Sequence, residues 1–169
     1  MWSPDRRRVL RLGLGGAAAA GLAACGFAPA YGPQGAARAV RGEVRITVPE
    51  GRIGFALGQE LEGRLGRGGA DAPWKLSADL LITESGLAIT RDSLITRFVM
   101  RGRSRWRLEG PEGTDPVEGE EAALAAYSAT ESLFATRAAR RDAEARLARE
   151  LGARVSDAVR AAAARGAPA

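Results

Sequence analysis

Side chains along a β-strand point alternately to its two faces, so a residue class that returns at every second position commits a segment to extended structure. Between Thr96 and Gly110, arginine occupies Arg97, Arg101, Arg103, Arg105 and Arg107, while Phe98, Met100, Trp106 and Leu108 stand at even positions. A helix would scatter those arginines around its circumference. A strand gathers them on one side and leaves an apolar side that needs a covering layer. The segment therefore predicts a sheet packed on one face and lined with guanidinium groups on the other.

The flanking sequence supplies the other parts of such a fold. Glu43 to Val48 alternates, with Val44, Ile46 and Val48 on one side, and Pro49 ends it. Ile53, Leu57, Leu61 and Leu65 recur every four residues, which makes an amphipathic helix weakened by Gly54, Gly58 and Gly63 and closed near Gly66. Trp74, Leu76, Ala78, Leu80 and Ile82 alternate again, and a stretch through Leu87 and Ile89 extends or kinks this strand before a turn near Arg91 and Asp92. Val117 to Tyr127 reads as a final strand whose alanine-rich second half is also compatible with helix. From about Glu131 to Ala164 the chain is helical, with Ala143, Leu147, Leu151, Val155 and Val159 as its buried stripe. Glu144 with Arg140 and Glu150 with Arg146 are spaced for surface ion pairs. This order predicts an α+β two-layer sandwich, with a mixed four-stranded sheet and two helices packed on one face, spanning residues 43–165.

The N-terminus bears on compartment. Arg6, Arg7, Arg8 and Arg11 precede the apolar run Leu12 to Ala24, the layout of a secretory signal and too short for a stable membrane span. The run ends in Leu22, Ala23 and Ala24 before Cys25, the only cysteine. This resembles the lipobox of bacterial lipoproteins, which implies a signal peptide over residues 1–24, lipid on Cys25 and a Gly/Ala/Pro-rich tether over 25–42. The competing possibility is an ordinary signal peptide followed by an unpaired thiol, a liability in an oxidising compartment. Arg6 to Arg8 also fit a twin-arginine signal, so the export route stays open. Gly26 after the cysteine, in place of Asp, favours the outer membrane. Without residues 1–24, four of the 25 basic residues and one of the 20 acidic residues are lost, which brings the formal charge from +5 to +2. That near-balance, with the periplasmic setting, argues against a nucleic-acid partner.

Chemistry is constrained as well. The chain has no histidine, so a His/Cys zinc site or a His-based triad cannot be built, and no metal or cofactor is implied. The acids fall in runs such as Glu118, Glu120 and Glu121, without the spacing of a general acid and base. An enzyme is not expected.

Two blocks point to a family. Cys25, Gly26, Phe27, Pro29, Tyr31 and Gly32 resemble the start of the mature LptE lipoproteins of lipopolysaccharide assembly. Tyr127, Ala135, Thr136, Asp142, Ala143, Arg146 and Leu147 are similar to that family's strand-end tyrosine and following helix. The resemblance implies a non-enzymatic lipoprotein on the periplasmic side of the outer membrane. It would plug the LptD barrel, help that barrel fold, and take part in lipopolysaccharide delivery. The rival class is a peripheral periplasmic binding module with another envelope partner. For the arginine face two readings stand: a solvated surface neutralised by Asp79, Glu109, Glu118 and Glu120, or a contact for acids of the barrel wall or for lipopolysaccharide.

Overall fold

The computed structural model of the chain describes residues 40–89 and 95–166; Cys25, the expected signal and tether up to residue 39, and the turn expected near Arg91 and Asp92 lie outside them. The elements are β1 (Val44–Thr47), α1 (Arg52–Leu65), β2 (Trp74–Ala78), β3 (Leu81–Ile89), β4 (Ile95–Glu109), β5 (Val117–Ser128) and α2 (Leu133–Gly166). β4 is the central ribbon. It pairs antiparallel with β2 and β3 on one side and with β5 on the other, while β1 pairs parallel with β2. A parallel pair needs a crossover, and α1 supplies it.

The sheet has five strands where four are expected, because Trp74–Ile89 is divided in two. The register is the same on both sides of the break: Ala78 opposes Trp106 and Leu81 opposes Arg103. What interrupts the ladder is Asp79. Its N–H donates to the Arg105 carbonyl at 2.8 Å, but the Arg105 N–H donates to the Asp79 side chain (Oδ1, 2.8 Å) instead of the Asp79 carbonyl. That carbonyl accepts from the buried Ser104 hydroxyl at 2.8 Å. A carboxylate beside its own backbone competes for ladder donors in this way. The later irregularity, between Gly86 and Ile89, falls where the extension or kink is expected.

Both helices cover one face. Leu57, Leu61 and Leu65 of α1 and Leu147, Leu151, Val155 and Val159 of α2 are buried against Leu76, Met100, Trp106 and Leu108, and the core begins ahead of β1 at Val40. Leu147 and Leu151 settle on Gly102, where an added Cβ would come within 2.9 Å of Leu151 Cδ1. The Trp106 indole lies across its partner Gly119, where a Cβ would fall 2.5 Å from Cζ2, an aromatic covering a cross-strand glycine. The alanine-rich half of β5 is strand, held by β4 from Val117 to Ser128. Of the expected helix pairs, Arg140 and Glu144 meet at 3.4 Å, yet the Glu144 side chain is only 9% exposed and also bonds Arg52 of α1. It joins the two helices instead of decorating a surface. Arg146 and Glu150 do not pair: Arg146 takes Asp142 at 2.9 Å and Glu150 takes Arg154 at 2.9 Å.

Candidate functional site

The alternation in β4 sets the geometry of the site. Gly102, Ser104, Trp106 and Leu108 are buried under the helices, and Arg97, Arg101, Arg103, Arg105 and Arg107 are all exposed on the opposite face. The structure thus brings all five onto one surface that no other described element covers; Arg101, Arg103, Arg105 and Arg107 follow one another about 7 Å apart, and Arg97 stands about twice as far from Arg101.

Their surroundings divide them. Arg107 bonds Glu109 at 3.0 Å and also Glu118, and these two hydrogen bonds raise its pKa further above its usual value. Arg105 lies 3.7 Å from Asp79 and 4.0 Å from Glu120, and Arg103 reaches Glu120 only at 3.9 Å. Arg97 and Arg101 have no acidic partner among the described residues. The cross-strand neighbours explain the gradient. Arg107 and Arg105 oppose Glu118 and Glu120, whereas Arg103, Arg101 and Arg97 oppose Ala122, Leu124 and Ser128. Exposed Leu81 and Leu124 (57% and 62% accessible) flank the unpaired end. One face therefore carries a neutralised half and a cationic, partly apolar half.

The residues of the second family-like block have structural work. Tyr127 is buried, stacks on Phe98 with ring centroids 5.1 Å apart, and donates to Glu84 at 3.0 Å. Glu84 also meets Arg140 at 3.3 Å, so a chain of charges runs from β3 through Arg140 and Glu144 to Arg52. Thr136 Oγ1 accepts from the Thr130 N–H at 2.9 Å and donates to its carbonyl at 3.2 Å, which fixes the turn from β5 into α2. Ala143 and Leu147 are core residues. Sequence spacing missed Glu84, because the strand carrying it meets Arg140 only through the tertiary fold.

A second group of arginines also escaped the sequence reading. Arg146 donates to the Ala126 carbonyl at 3.1 Å and Arg154 to the Ala122 carbonyl at 2.7 Å, so α2 reaches over the open edge of β5. The signal was present as arginines spaced by a multiple of four on α2, but nothing in the sequence said that a strand edge lay beneath.

Comparisons with known proteins agree with this architecture. The model of the lipopolysaccharide-assembly family LptE matches residues 40–159. Among solved structures, a Caulobacter crescentus protein described as a lipoprotein is similar at 25% identity and a TM-score of 0.62, covering 79% of this chain and 98% of that one. Rare lipoprotein B from Shewanella oneidensis shares the fold at 8% identity and a TM-score of 0.55, over 70% of this chain and 94% of that one. No curated protein sequence matches. With the family match running from Val40 at the edge of the core to Val159 in the last buried turns of α2, the chain belongs to the LptE family of lipopolysaccharide assembly.

Proposed function

We propose that the protein is a lipoprotein of the outer membrane with no catalytic role, held on the periplasmic side by lipid on Cys25 after removal of residues 1–24. It seats inside an LptD-type barrel, assists that barrel's assembly, and takes part in passing lipopolysaccharide to the cell surface. The observation that carries this reading is the face of β4 in a chain of this family: among the described residues nothing covers it and Arg97 and Arg101 have no acidic partner there, beside exposed Leu81 and Leu124. A guanidinium that no carboxylate answers is free for a phosphate, an acidic sugar or a carboxylate of the barrel wall. Arg105 and Arg107, already held by Asp79, Glu109, Glu118 and Glu120, contribute less to such a contact.

Affinity isolation of the tagged chain from detergent-solubilised membranes tests the partner. A large β-barrel should co-purify in stable proportion. If the chain comes out without one, the plug reading fails and a peripheral lipoprotein with another envelope partner replaces it. Metabolic labelling with a clickable fatty acid tests the anchor, since Cys25→Ser should take up no label and equal labelling would remove Cys25 as the lipid site.

A further inference from the structure

Among the described residues β5 is an edge strand, paired on one side only. Such an edge is a template for another strand unless it is covered or guarded. Here the guards are Arg146 and Arg154, bonded to the carbonyls of Ala126 and Ala122. Backbone groups two residues apart on a strand point the same way, so the N–H and C=O of Leu124, midway between the two clamps, also face outward. A cleft of about 870 Å³ runs along this edge, and its lining includes all four residues from Ala122 to Ala125. Arginines enter it from both layers: Arg101 and Arg103 from the open face, Arg146, Arg149 and Arg154 from α2. Six arginines line it against two glutamates, and both glutamates are committed, Glu60 to Arg64 and Glu150 to Arg154. Arg101 and Arg149 have no acidic partner among the described residues.

We infer that this edge accepts an extended, acidic segment of a partner protein as an added strand. An isolated anion needs a point contact, whereas this cleft follows four consecutive residues of an edge strand. Side chains of an incoming strand would alternate between the open face, near Arg101 and Arg103, and the helix layer, near Arg149. Ala123 and Ala125, whose side chains face the helix layer, are small enough for the arginines of α2 to reach across them to the edge. The clamps set the selectivity. A neutral strand would strip Arg146 and Arg154 of their carbonyls and return nothing, whereas an acidic strand offers carboxylates, which bind guanidinium more strongly. The inference shares Arg101 with the barrel reading but is separable from it, since the edge of β5 and Arg149 belong to the cleft alone and Arg97 to the open face alone, so either can fail alone.

The test uses the full-length protein in a neutral detergent and a short fluorescent peptide alternating glutamate and valine. The peptide should bind with an affinity that falls as salt rises, and it should slow hydrogen exchange at the Leu124 amide. A peptide of equal charge interrupted by proline should not bind, since proline cannot complete the ladder. Arg149→Glu should weaken binding about tenfold or more. A threonine–valine peptide should bind only the Arg146→Gln/Arg154→Gln variant, in which the guards are gone. Equal binding by the proline peptide, full competition by pyrophosphate, or unchanged exchange at Leu124 would overturn the proposal and leave a simple anion site or none.

Discussion

Tyr127 shows how a single side chain in this fold reports on its surroundings. Its pKa is raised above the ordinary 10, first by burial and then by the hydrogen bond to Glu84 and that carboxylate's charge, with Arg140 pulling weakly the other way. A phenol whose folded pKa lies above its unfolded value contributes stability that is complete below about pH 10 and lost as pH rises through the folded value. The chain has two tyrosines, Tyr31 and Tyr127, so absorbance at the tyrosinate band should contain a component titrating late, above pH 10. Tyr127→Phe should remove that late component and flatten the alkaline loss of stability. A late component that persists in the variant would belong to Tyr31 and would mean that Tyr127 is not the late-titrating phenol. Glu144 illustrates the same dependence on context. Its spacing from Arg140 reads as a surface pair, but the third partner, Arg52, comes from another helix, and only the packed fold turns the pair into a link between layers.

At the level of elements, α1 reverses what helix propensity alone would say. Gly54 and Gly63 are both helical, and replacing an interior glycine with alanine ordinarily stabilises a helix by about 0.5–1 kcal/mol. Gly63 has open space around it, so Gly63→Ala should gain about that much. Gly54 packs directly on Pro49, and an added Cβ would stand 1.9 Å from the Pro49 carbonyl oxygen, a backbone atom that can move only with the β1–α1 connection. Gly54→Ala should therefore lose about 1–3 kcal/mol, the usual cost of overpacking. Urea midpoints that shift in opposite directions would bear this out; equal shifts would mean that the connection yields freely. The same contrast marks what was legible in the sequence. The two-residue alternation of Trp74 to Ile82 and of Arg97 to Leu108, and the four-residue stripe of Leu57, Leu61 and Leu65, are local, and each landed on the face its period dictates. The break at Asp79 was not legible, because it depends on which backbone N–H lies opposite that carboxylate, a matter of register with β4. Nor was the choice of Arg146 between Asp142 and Glu150: both lie four residues away, and the Ala126 carbonyl of a different element helps to hold its guanidinium beside Asp142.

For the whole molecule, the consequence of two helices on one side is that the arginine face has no cover among the described residues, and its two halves should behave differently. Arg97→Glu/Arg101→Glu reverses charges with no acidic partner among the described residues; Arg105→Glu/Arg107→Glu reverses charges already held by Asp79, Glu109, Glu118 and Glu120. Both double variants should keep the fold, since exposed substitutions away from caps and core usually change stability by under about 0.5 kcal/mol, though the second gathers like charges and should be the less stable. Binding should rank them the other way. The first should weaken association with the proposed barrel partner or with purified lipopolysaccharide, by an amount that shrinks as salt rises, because exposed charges are screened within about 10 Å at 0.1 M. The second should bind nearly as the wild type does. Pull-down of the barrel and titration with lipopolysaccharide separate the two partners. Arg97 lies outside the cleft along β5, so Arg97→Glu alone should affect these assays and leave binding of an acidic peptide untouched. Equal losses in both double variants would show that the five arginines act as one undivided field. Normal binding by both, with an intact outer membrane, would reduce the face to a solvated surface.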